Sequence, residues 1–132
     1  EDAKAIGVDH QVEEIAYDKW RATQLAHQLM KDGAEVVEVG GGIQTMNLAM
    51  RELEAALVSG RVRHNGDPVL AWMASNVVAH EFKGCITPTK ESSSKKIDGM
   101  VAILMAMSRA LLADGVAPSV LDTLEDDDLL VG

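Results

Sequence analysis

Apolar residues recur along this chain at two spacings, and the switches between them divide it into short elements. Val12 to Tyr17, with Ile15 and Ala16 inside it, is a run of strand length that stops at Asp18. From Lys19 the spacing lengthens, so that Ala22, Leu25, Ala26 and Leu29 fall on one helical face, and Lys31-Asp32-Gly33 supplies a stop. Glu35 to Val39 alternates only partly, but its length and branching favour a second strand. Strand, helix, strand is the unit that builds a parallel sheet.

Gly40-Gly41-Gly42 then makes a turn, and Ile43 to Ser59 predicts a helix with Met46, Met50, Leu53 and Leu57 on one stripe, ended by Gly60. Arg61-Val62-Arg63-His64 reads as a short exposed strand with Asn65-Gly66 as its turn. Asp67-Pro68 opens a helix as cap and first residue, and the stripe Leu70, Met73, Ala74 and Val77 carries it to about His80. Phe82 to Thr87 reads as a strand closed by Pro88, and Thr89 to Ser94 as a polar, mobile loop. Ser92, Ser93 and Ser94 stand ahead of an apolar run from Val101 to Leu112, where they can cap a last helix.

Asp98 interrupts this pattern. On a helix it shares a stripe with Val101, Ala102 and Met105, where a carboxylate is costly unless hydrogen-bonded, paired or metal-bound. Either it belongs to the helix start, or it faces a site. Gly115 and Pro118 mark the end of the packed region, which divides the chain into a domain over residues 1–113 and an acidic, flexible tail over 114–132. The tail offers a docking segment as its alternative role.

Charge changes the picture locally. The net charge is −9, which for the whole chain argues against a nucleic-acid partner, yet residues 61–96 hold six bases against three acids. Arg61, Arg63, Lys90, Lys95 and Lys96 can hold a phosphate backbone or form a solvated face. The tail from Asp114 carries six acids and no base. The 132 residues, 47% hydrophobic, suffice for one sizeable core. Glu1 in place of an initiator methionine reads as a processed product or part of a longer chain. No apolar run reaches the length of a bilayer span. Cys85 is the sole cysteine, which excludes an internal disulfide and suits a small core hydrophobe. Trp20 and Trp72 lie on helices and are expected in the core.

Asp18 at a strand end and Asp98 in the first turn of a helix are the acids best placed to meet a hard cation, since Mg²⁺ takes oxygen ligands and keeps several waters. A purely structural role remains open for each, and Asp9 is a weaker third candidate. The four histidines lack paired metal-ligand spacing, and no serine lies in a nucleophile elbow. The glycine run lacks the lysine and hydroxyl of a phosphate loop.

Several motifs in order resemble a known family. Tyr17-Asp18-Lys19-Trp20-Arg21, the Gly40-Gly41-Gly42 turn with Met46, Arg51-Glu52-Leu53-Glu54, Arg63-His64-Asn65-Gly66-Asp67-Pro68-Val69-Leu70 continuing through Ala71-Trp72-Met73-Ala74-Ser75-Asn76-Val77, and Lys96-Ile97-Asp98-Gly99 are similar to the C-terminal nuclease region of tailed-phage terminase large subunits. The resemblance spans about residues 12–112. It implies an α/β, partial ribonuclease H-like fold with a mixed sheet flanked by helices. It implies a metal-dependent endonuclease that cuts concatemeric viral DNA, with Asp18 and Asp98 as catalytic, metal-binding carboxylates for Mg²⁺ or Mn²⁺. Double-stranded DNA and other packaging components, the portal and the small terminase subunit, are the implied partners, in the cytoplasm of a bacterial host.

In that family a further aspartate stands on the first strand of the nuclease sheet and an ATPase motor lies upstream. Asp9 is too close to Asp18 to play the first of these parts, and no Walker-type loop occurs. Missing first strands would expose a sheet edge beside Val12 to Tyr17. Self-association or a mobile N-terminal region, and weak cleavage by this stretch alone, are therefore expected. The competing expectation is a non-catalytic interaction module that docks onto another packaging component.

Overall fold

The computed structural model describes residues 10–40 and 42–115. Asp9, Gly41 and the tail acids Asp122 and Glu125 to Asp128 lie outside the described residues. The chain forms two compact units, Glu1–Gly40 and Gly41–Gly132.

In the first unit β1 (Ile15–Tyr17) leads into α1 (Lys19–Lys31) and then β2 (Val36–Glu38). The two strands pair in parallel, Ile15 with Val36 and Tyr17 with Glu38, as the strand-helix-strand pattern predicts. The strand expected from Val12 shortens to Ile15, because only three residues of β2 pair with it. Asp18 caps α1 by accepting a hydrogen bond from the Trp20 amide at 2.9 Å, which satisfies one of the helix's unpaired donors. Gly33, at φ +88, supplies the left-handed residue after the last turn. Ala26 and Leu29 are the buried residues of α1. Trp20 is 84% exposed, against the expectation of a core position. It precedes Ala22 by two residues, which places it on the opposite side of the helix from the Ala22, Ala26 and Leu29 face. Its ring lies under the Lys19 ammonium, 5.3 Å from the centroid, and Lys19 also meets Glu38 at 3.6 Å.

The second unit contains α2 (Ile43–Val58), α3 (Pro68–Asn76), β3 (Val77–Phe82), β4 (Cys85–Lys90) and α4 (Asp98–Ala113). Its core lies where α2 crosses α4. Met46, Ala49 and Leu104 are buried there, ringed by Met50, Leu53, Met105 and Met107. The methionines fill the core as their spacing suggests. β3 and β4 form an antiparallel hairpin from Val77 opposite Lys90 to Phe82 opposite Cys85. Its two-residue turn, Lys83-Gly84, has φ of 50 and 79, the pair of positive values a type I′ turn requires. Cys85 is buried at the start of β4.

β4 packs on α2, and one polar side chain ties them together. Asn47 is only 9% exposed, and its Oδ1 accepts from the Ile86 amide at 2.9 Å and from Arg51 Nε at 3.0 Å. Arg51 in turn donates to the Gly84 carbonyl at 3.1 Å. A strand donor that the hairpin does not use is thereby satisfied from the helix.

Several boundaries depart from the periodic reading. The helix expected to reach His80 ends at Asn76, and Val77 already has extended backbone. Val77 and Val78 continue the helical stripe in sequence, but their branched side chains suit the strand they begin. Pro88 lies inside β4 rather than closing it, which a two-stranded sheet tolerates because both strands are edges. Arg61 to His64 is irregular, not a strand. Asp67 does cap α3 as expected, accepting from the Leu70 amide at 2.9 Å. Trp72 is 43% exposed, on the flank of the Leu70, Met73 and Asn76 face that α3 turns inward, so it too is not a core residue. The α/β class holds, with a parallel pair in one unit and an antiparallel pair in the other. No helix among the described residues is long and apolar enough to cross a membrane.

Candidate functional site

The start of α4 is built differently from the serine-capped helix the sequence suggests. Its N-cap is Ile97, with no side-chain cap, while Ser92 and Ser94 hydrogen-bond each other at 3.0 Å in the loop before it. Asp98 is the first helical residue and is exposed, on the flank of the buried Leu104 and Ser108. The desolvation problem posed by its apolar stripe therefore does not arise, and its charge is favourable at the positive end of the helix.

Two contacts from α3 fix this turn. Asn76, at the end of α3 and 6% exposed, donates from Nδ2 to the Lys96 carbonyl at 2.9 Å. One helical turn earlier, Met73 places its sulfur 3.2 Å from the Gly99 amide. A Cβ on Gly99 would stand 2.8 Å from that sulfur, so the absence of a side chain lets the first turn of α4 approach α3.

The same anchorage links the backbones of two lysines. Lys90 ends β4 opposite Val77, the residue after Asn76, while Asn76 holds the backbone of Lys96. Lys95 bonds through its amide to the Ser92 carbonyl at 3.1 Å, and Lys90, Lys95 and Lys96 are all exposed. An apolar groove of about 300 Å³ runs from Val58 at the end of α2 to Val77 and Met100. Beyond the end of α2, Arg61 is engaged within the unit, with its guanidinium 3.1 Å from Glu52 and Nε donating to Ser59 at 2.9 Å. Arg63 is exposed in the irregular segment that follows.

Asp18 belongs to the first unit and Asp98 to the second. Asp18 is half-buried and uses Oδ1 in its cap. A carboxylate has two oxygens and about four lone-pair directions, so a cap bond is compatible with ligation. Among the described residues no three His, Cys, Asp or Glu side chains form a group that could hold a metal. The donors present are hard carboxylate oxygens, and Mg²⁺ is commonly held by one or two carboxylates with waters and substrate phosphates. Each carboxylate, taken by itself, has the donor chemistry that such a cation takes. Sequence reasoning missed Asn47 and Asn76, since an asparagine in a helical run carries no sign of burial.

Residues 3–114 match the family described as terminase large subunit, endonuclease domain. Protein YmfN of Escherichia coli (strain K12) is 38% identical over 129 residues, covering 96% of this chain and 27% of that protein. The terminase large subunit of Enterobacteria phage HK97 is 36% identical over 111 residues, covering 82% of this chain and 22% of that one. The crystal structure of the HK97 bacteriophage large terminase superposes with a TM-score of 0.69 at 34% identity, over 82% of this chain and 23% of the other. The chain spans about a quarter of the length of these relatives. With the α/β elements in place and nearly the whole described chain inside the match, this protein belongs to the terminase large subunit endonuclease domain family.

Proposed function

We propose that this chain contributes the metal-binding carboxylates and part of the DNA-binding face of a phage packaging endonuclease that hydrolyses phosphodiesters with Mg²⁺ or Mn²⁺. The observation that carries this reading is the exposed Asp98 carboxylate, two residues after Lys96 on a turn fixed from α3. Asp18 and Asp98 would hold the cations. When bound, a pair of such cations supplies Lewis-acid stabilisation of the scissile phosphate and lowers the pKa of an attacking water. Lys90, Lys95, Lys96 and Arg63 bind backbone phosphates of double-stranded DNA from the exposed face, and their contacts position the duplex without reading its sequence. Arg61 joins them by exchanging its Glu52 partner for phosphate. The large subunit acts with a portal and a small terminase subunit in a bacterial cytoplasm.

Calorimetric titration of the chain with Mn²⁺ tests the reading. Asp98→Asn, which keeps the shape and removes the charge, is expected to weaken binding by at least about tenfold, since even indirect partners of a metal site cost that much. Equal affinity in the variant and the wild type would contradict it.

A further inference from the structure

We infer that Asn76 is a positioning residue for the Asp98 carboxylate, acting through the backbone of Lys96. The inference rests on the proposed role of Asp98 as a metal ligand. Asn76 is a buried amide on the inward face of α3, which it shares with Leu70 and Met73. Such a group is costly unless bonded, and its Nδ2 is bonded to a main-chain oxygen twenty residues away. The acceptor belongs to Lys96, two residues before Asp98 and next to Ile97, the N-cap from which α4 begins.

With no side-chain cap at Ile97, this bond and the Met73 contact at Gly99 restrain the turn from α3 on either side of Asp98. A helix end without a cap frays unless such contacts hold it. The Asn76 amide also stands beside Val77, whose cross-strand partner is Lys90, so the same residue links the hairpin end to the lysine turn. Loss of its donor leaves the core of α2 and α4 in place and frees the turn that presents the carboxylate.

The test compares Asn76→Ala, Asn76→Asp and Asp98→Asn in the full 132-residue chain. Mn²⁺ affinity is read by calorimetry, amide exchange of residues 95–99 by mass spectrometry, and folding by cooperative urea unfolding. Asn76→Ala is expected to weaken Mn²⁺ binding by about three- to tenfold, the equilibrium equivalent of one hydrogen bond. Exchange should accelerate in residues 95–99 and not in α2. Asn76→Asp keeps the volume but loses the amide donor, and should behave alike. Wild-type Mn²⁺ affinity in both Asn76 variants, with affinity lost in Asp98→Asn, overturns the inference alone. Unchanged affinity in Asp98→Asn removes the reading beneath it and overturns both. If neither Asn76 variant folds, Asn76 is a determinant of the whole unit, and its assignment as a local positioning residue is wrong.

Discussion

Replacing Leu104 by alanine should destabilise the second unit by about 2–5 kcal/mol, a large share of the stability of a small domain. Leu104 is 2% exposed and sits with Met46 and Ala49 where α2 crosses α4. Truncation removes the transfer free energy of its side chain and leaves a cavity beside the existing apolar groove, which Leu104 also lines. The surrounding methionines can swing into part of that space, which favours the lower half of the range. Leu104→Met, close in volume, should cost less than about 1.5 kcal/mol. The chain carries one tryptophan in each unit, so fluorescence of Trp72 in a Trp20→Phe background reports the second unit alone. A urea transition in Leu104→Ala within about 0.5 kcal/mol of its parent, the scale of an ordinary surface substitution, would show that this contact is not the core.

Asn47→Ala should cost about 1–3 kcal/mol, because it strands the Ile86 amide and removes one of the acceptors of Arg51. The effect should concentrate on the hairpin, with faster exchange at Ile86 and at the neighbouring positions of β4. Asn47→Asp retains an oxygen acceptor and adds charge assistance toward Arg51, so it should lose much less. Equal losses in the two variants would mean that Asn47 acts by its volume and not as an acceptor.

The contrast between what the chain discloses and what it conceals follows from the range of the forces involved. α1 is readable because its apolar face and its glycine stop lie within fifteen or so residues of one another, and both are local signals. α2 is readable from its apolar stripe and the Gly60 that follows it. The junction at Asn76-Val77 is not, since Val77 fits both a helical stripe and a strand, and the choice depends on pairing with Lys90. Trp20 and Trp72 lie outside the core because size and hydrophobicity do not set on which side of a helix the core lies. The position of Asp98 in the first turn of the last helix is legible in the sequence, but its surroundings are not. Ser92 and Ser94 offer the chemistry of a cap, whereas the turn is held from α3 by Asn76 and Met73, more than twenty residues distant in the case of Met73. Exposure of Asp98 was equally hidden, as it depends on which face of α4 meets α2.

The proposed roles of Asp18 and Asp98, each as a ligand of a divalent cation, are tested by anomalous scattering from crystals of the chain soaked in Mn²⁺. Mn²⁺ is expected within roughly 2.0–2.6 Å of a carboxylate oxygen of each residue, the span of hard divalent cations on oxygen. Mn²⁺ bound only elsewhere, with both carboxylates outside ligand distance, would contradict these roles.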